Sequence, residues 1–162
     1  MSIDPKIQIR SRVRGYWFFM PSRMGSYYSK HQKRDKIMTG RNLRVELEGQ
    51  PVMGVQLLEH LVLLFKIDKS QIPRWFDGKT IFFWGTIYCS WGDENQQYVE
   101  YLYFNFEANE YYRGYRYLDH PEGFDKDCPA VISVPPKYTN LPEEEVDESH
   151  KEEPSYDDGY ML

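Results

Sequence analysis

Cysteine is scarce in this 162-residue sequence: Cys89 and Cys128 are the whole complement. Two cysteines build neither a disulfide framework nor a four-thiolate zinc site, so a cytosolic protein with free thiols is the expectation. Long apolar runs are missing too. Nothing approaches the roughly 20 residues needed to cross a bilayer as a helix. The first residues lack an apolar segment followed by small residues, so export by a signal peptide is not expected. Internal repeats, a Gly-rich phosphate loop, HExxH, CxxC and a serine nucleophile elbow are all absent. Collagen, coiled coil, membrane channel and disulfide miniprotein are excluded, and the reading is non-enzymatic, with no catalytic residue, metal or cofactor.

What the chain does have is aromatic residues, 17% of the total with 14 Tyr, and an uneven distribution of charge behind a net value of -5. Residues 1–44 carry 11 Lys/Arg against two acids, or +9. Residues 45–142 carry 8 against 14, or -6, and residues 143–162 one against nine, or -8. A basic leading part points to an anionic surface, and an acidic end to a solvated tail. Mutual screening of the two ends is the competing account.

Three segments follow. Residues 1–15 read as a flexible basic arm with Lys6, Arg10, Arg12 and Arg14. Residues 16–134 read as one globular α+β domain, an antiparallel β-meander packed with one main amphipathic helix. Residues 135–162 read as a disordered acidic tail. Within the domain, Tyr16–Met20 predicts a short strand, and 22–42 predict an exposed loop carrying Lys30, Lys33, Arg34 and Lys36. Leu43–Glu48 alternates apolar and polar and predicts a half-buried strand. Val55–Lys66 predicts a helix whose polar line runs through Gln56, Glu59, His60 and Lys66. The lone His60 suits a surface or cap position better than a metal. Thr80–Trp91 predicts a strand with Ile81, Phe83, Ile87 and Cys89 on one face and Phe82, Trp84, Thr86, Tyr88 and Ser90 on the other. Gly92–Asn95 turns it into Gln97–Glu107, with Leu102, Phe104 and Phe106 facing in. Ala108–Glu110 turns again into Tyr111–Leu118. Glu100, Glu107 and Glu110 are expected to be solvated.

Two features carry the functional reading. Tyr101, Tyr103, Tyr111, Tyr112, Arg113, Tyr115, Arg116 and Tyr117 fill two adjacent strands. Such a set serves core filling, a self-association or partner face, or stacking on single-stranded nucleic acid. The second is Pro135-Pro136-Lys137-Tyr138, a PPxY. A Pro pair presets the polyproline II conformation that WW domains read, and the Tyr138 ring anchors it. Tyr138-Thr139-Asn140-Leu141 overlaps it as a YxxL pattern resting on Tyr138 and Leu141. The alternative is a strand terminated by prolines.

A compact aromatic α+β body, a basic leading segment and a PPxY together resemble the matrix proteins of negative-strand RNA viruses. The order Leu43–Glu48, Gly49–Gly54, Val55–Lys66 and then Thr80–Trp91 is most similar to rhabdovirus matrix proteins, over residues 43–107. In that group the PPxY usually precedes the body, whereas here it follows. The resemblance implies a virion structural protein, peripheral at the membrane, that oligomerises, contacts nucleocapsid or RNA and recruits a WW-domain ubiquitin ligase for budding. Arg10, Arg12, Arg14, Lys30, Lys33, Arg34 and Lys36 would then bind the anionic membrane. A WW-binding cellular adaptor and a small nucleic-acid-binding module are the competing functions. Tyr138→Ala is expected to abolish binding to WW domains in titrations while leaving the circular dichroism spectrum unchanged.

Overall fold

A computed structural model describes residues 7–12 and 21–134. Tyr16–Met20, Arg14 and everything from Pro135 onward, including Pro136, Tyr138 and Leu141, lie outside the described residues. Six strands form one sheet: β1 (Ile7–Arg12), β2 (Met24–Tyr27), β3 (Thr80–Ser90), β4 (Asp93–Asn105), β5 (Glu110–Tyr117) and β6 (Ala130–Ser133). The order across it is β2-β6-β3-β4-β5, with β1 also on β3. Two helices, α1 (Gly40–Leu47) and α2 (Val55–Ile67), accompany it. The expected meander is β3-β4-β5, antiparallel throughout.

β3 is the hub. Every residue from Ile81 to Cys89 is buried, so both of its faces are covered. On one face α2 lays Leu57, Leu58, Leu61, Val62 and Phe65 against Ile81, Phe83, Leu102 and Phe104. On the other, Leu43 and Leu47 of α1 join Met38, Phe124 and Cys128 over Phe82, Trp84, Ile87 and Val99. Fully burying one such side chain stabilises the fold by about 1.5–3 kcal/mol, so two such layers outweigh any single polar contact described below.

Ile87 is a correction. Strict alternation puts it with Ile81 and Phe83, yet it packs with Phe82 and Trp84. The register between β3 and β4 shifts between Phe82 and Ile87, and that irregularity inverts the parity of the strand. At the shift, the Gly85 N–H donates to the Met53 carbonyl (2.9 Å), and the Thr86 hydroxyl accepts the Val55 N–H at the start of α2 (3.0 Å). Backbones meet closely here: a Cβ on Gly85 would stand 2.7 Å from Gly54 N. The bulge therefore pins the first turn of α2 to the sheet, where Gly54 itself has no capping side chain.

Three expectations on the basic side also change. Leu43–Glu48 is helical, not a strand, and there are two helices rather than one main one. Leu43 and Leu47, four apart, are buried while Val45 is 66% exposed, a helical pattern that a six-residue window mistakes for alternation. Thr39 caps α1 through its hydroxyl, which accepts the Asn42 N–H (3.3 Å). The first element of the order that resembled rhabdovirus matrix proteins is thus of a different type. Ile7–Arg12 pairs antiparallel with β3, Ile7 opposite Ser90 and Arg12 opposite Thr86. The segment expected to be a plain loop contains β2, which pairs with β6 from Met24–Ser133 to Tyr27–Ala130.

Thr86→Val keeps the volume but takes the acceptor from the half-buried Val55 N–H. It is expected to lower unfolding free energy by about 1–2 kcal/mol, read as a lower urea midpoint with an unchanged slope.

Candidate functional site

The basic residues of the 22–42 segment are organised by a single turn. The Ser29 hydroxyl accepts the Gln32 N–H (3.0 Å), and Gln32 Oε1 accepts the Ser29 N–H (2.9 Å). This is a reciprocal capping box. Gln32 is 1% exposed and its Nε2 donates to the carbonyls of Asp125 (2.9 Å) and Cys128 (3.1 Å). One buried amide thus fastens the turn to the 125–128 loop. Lys30, Lys33, Arg34 and Lys36 all stay exposed around it. Asp35, in the left-handed region at φ 57°, pairs with Lys126 (3.1 Å). Ile37, 63% exposed, follows directly. Four cations and one apolar side chain therefore project from a rigid base.

The other predicted members of this group sit elsewhere. Arg10 and Arg12 belong to β1, on the Thr86–Ser90 half of β3, whereas the turn packs on residues 125–128 beside Thr80, whose N–H donates to Asp127 (3.1 Å). Arg14 lies outside the described residues.

The tyrosine set divides between the two faces of the sheet. Tyr101, Tyr103 and Tyr112 fall on the α1 side, where Tyr101 meets Phe82 (5.5 Å between centroids) and Tyr103 meets Tyr112 (6.1 Å). Tyr111, Arg113 and Tyr115 fall on the α2 side, with Tyr111 against Phe65 (5.5 Å) and Tyr115 edge-on to Tyr88 (5.0 Å). They are not one continuous face. Tyr101 and Tyr111 are half-buried against the two cores, and Tyr112, 57% exposed, is the most open. Neither arginine of β5 reaches outward. The Arg116 guanidinium covers Phe82 (5.0 Å) and Phe124 (5.4 Å) and donates to the Gly123 carbonyl (2.9 Å).

Arg113 belongs to a charge cluster, running from buried Glu100 out to exposed Glu59, that the sequence reading missed. Glu100, expected in solvent, is 1% exposed. Its carboxylate accepts from Arg113 Nε (2.6 Å) and from the Tyr88 hydroxyl (2.8 Å), and Arg113 reaches on to Glu59 of α2 (2.5 Å). Glu107 and Glu110 are exposed, as expected. Burial, reinforced by the Glu100 charge, pushes the Tyr88 phenol far up and the Tyr115 phenol to about 12. The Tyr115 hydroxyl is buried without a hydrogen-bond partner. The cluster ties α2 to β4 and β5. Its carboxylate and guanidinium are already committed to each other, which suits positioning rather than acid–base chemistry.

A cleft of about 400 Å³ lies between Lys69, Ser70, Ile72, Arg74, Asp77, Phe106 and Glu107. Its polar groups are engaged locally: Lys69 Nζ donates to the Phe106 carbonyl (2.9 Å), and Asp77 accepts the Phe106 N–H (3.0 Å). Cys89 and Cys128 are buried thiols. Among the described residues, no group of three or more His, Cys, Asp or Glu is placed to hold a metal ion, and no helix is long and apolar enough to cross a membrane.

Because the folded state holds the Tyr115 proton more tightly than an ordinary phenol of 10.0, the associated stability is present below pH 10 and lost as pH rises toward about 12. Tyr115→Phe removes a hydroxyl that has no partner. It is expected to raise stability by about 1 kcal/mol at neutral pH and to move the alkaline unfolding midpoint upward, both measured by circular dichroism.

Neither a protein-family model, nor a curated protein, nor a solved structure matches this chain.

Proposed function

We propose that this chain is a peripheral structural protein of the matrix type, which docks on an anionic membrane through the turn at Lys30–Lys36. The observation that carries this reading is the capping-box turn. Four exposed cations and an exposed isoleucine stand on a base fixed by buried Gln32, so little ordering entropy is lost when the turn meets a charged surface. Isoleucine beside such cations suits the boundary between headgroups and acyl chains. The PPxY at Pro135, Pro136 and Tyr138 supplies the second half of the proposal. It directly follows Val134, whose N–H is held by the Arg23 carbonyl (2.8 Å), and it would recruit a WW-domain ubiquitin ligase to the coated membrane. Nucleocapsid or RNA contact belongs to the same reading. The inward use of Arg113 and Arg116 favours the basic leading part of the chain over β5 for that contact.

Each cation near a charged leaflet contributes about 1 kcal/mol. Replacing Lys30, Lys33, Arg34 and Lys36 together by Gln is therefore expected to weaken binding to phosphatidylserine vesicles about a hundredfold to a thousandfold. The folded spectrum should not change, since all four side chains are exposed. Wild-type binding should also fall steeply as salt shortens the Debye length from about 10 Å at 0.1 M to about 3 Å at 1 M. Equal cosedimentation with neutral vesicles, or binding indifferent to salt, overturns the membrane reading. WW-domain binding without vesicle binding favours the cellular adaptor instead.

A further inference from the structure

The long outer edge of the sheet is unpaired among the described residues. β5 ends the strand order, eight residues from Glu110 to Tyr117, while the opposite edge is the four-residue β2. Which backbone groups face outward follows from the ladder. Tyr98 opposes Tyr117, so Gln97 stands opposite Leu118, and the Leu118 N–H donates to the Gln97 carbonyl (2.9 Å). Hydrogen-bonded and non-hydrogen-bonded pairs alternate along an antiparallel ladder. Residues 110, 112, 114 and 116 therefore bond to β4, and Tyr111, Arg113 and Tyr115 turn their N–H and C=O groups to the open side; the Tyr117 carbonyl, on the same side, is taken by the His120 N–H (3.0 Å). The strand has no proline and no lysine, and its register with β4 has no bulge; its charges are Glu110 and two arginines turned back onto the body.

We infer that this edge pairs with the same edge of a second copy, β5 antiparallel to β5, about a twofold axis through Arg113. The sequence of the strand is self-complementary about that point. Tyr111 comes opposite Tyr115 at both ends and Tyr112 opposite Gly114, while Glu110 comes opposite Arg116, whose guanidinium stays on Phe82 and Phe124. Gly114 is covered within its own copy by the Tyr101 ring, whose hydroxyl stands 2.7 Å from where a Cβ would sit. The exposed Tyr112 of the second copy arrives beside that ring and extends the aromatic row across the edge. Arg113 meets its own copy on the axis, but each guanidinium already lies between Glu59 and Glu100, so the like charges arrive compensated. The outward-facing pairs 111–115, 113–113 and 115–111 supply about six backbone hydrogen bonds.

The contact deepens the coat reading, which needs copies joined side by side, and rests on it for its purpose only. Association is measured in solution without vesicles, so the two fail separately. The full chain is studied by sedimentation across concentration, as wild type, Tyr115→Ala and Tyr115→Pro. The Tyr115 N–H faces away from β4, so proline there breaks no bond of the ladder within the chain but removes one from the edge. Wild type should dimerise, the alanine variant should follow it within a few-fold, and the proline variant should associate at least tenfold more weakly. Tyr112→Cys keeps the test open if the proline variant fails to fold. In this register the two Tyr112 Cα atoms are about 8 Å apart, so a short bis-maleimide should join the variant into dimers and leave wild type monomeric on a denaturing gel. A strictly monomeric wild type, a proline variant that associates as well as the alanine variant, or a dimer that Tyr112→Cys does not cross-link, overturns the proposal.

Discussion

The fold depends on one constraint: β3 is buried on both faces, so everything else must be arranged to cover it and to satisfy its edges. One edge is taken by β4, on either side of the shift between Phe82 and Ile87. The other is shared in series. Its first residues bond to the segment leading into β6, with the Phe82 N–H on the Pro129 carbonyl (3.0 Å); Gly85 bonds to Met53; and β1 takes the remainder. A strand with no water on either face cannot leave these groups unpaired, because each orphan costs about 1–3 kcal/mol. The bulge at Gly85 and Thr86 is where the three partners change over. It also delivers the hydroxyl that holds α2. The position of α2 and the inverted parity of Ile87 share that single cause.

Much of this was legible in the residues. Thr80–Ser90, the meander that follows it and the helix from Val55 were visible because each pattern runs for ten residues or so, long enough for its period to be unambiguous. Leu43–Glu48 was misread because six residues do not separate a period of two from a spacing of four, and the decisive sign, the Thr39 cap, lies upstream. Ile87 was misplaced because a bulge leaves no trace in alternation. Two features were written in the sequence and passed over. Glu100 shares the parity of Leu102 and Phe104, which already placed it inward. Ser29-x-x-Gln32 is a capping-box signature within a stretch taken for loop. The pairing of β2 with β6 had no local signal at all, since partners more than a hundred residues apart are joined only by the tertiary fold.

Cations are used in two opposite ways. Arg113 and Arg116 are drawn into the body, one between two carboxylates and one over two aromatic rings, where planar guanidinium groups are matched by geometry. The turn instead keeps three lysines and one arginine in solvent and buries only an uncharged amide, Gln32, as its fastening. Anchoring through a neutral group leaves the charges available without a desolvation cost. This division separates the groups that hold the protein together from those offered to a partner.

The place of β6 has a consequence for how the molecule is made. This four-residue strand lies between β2 and β3, and both of its neighbours precede it in the chain by roughly fifty residues or more. While the polypeptide emerges from a ribosome, the meander and α2 can assemble from contacts close in sequence, but Met24–Tyr27 has nothing to pair with until Ala130–Ser133 has appeared. Until then Met24–Tyr27 waits unpaired by β6, a state open to chaperones and to pairing with neighbouring chains. The arrival of Ala130–Ser133 closes the sheet between β2 and β3 and adds Ala130 to the cover over Phe82.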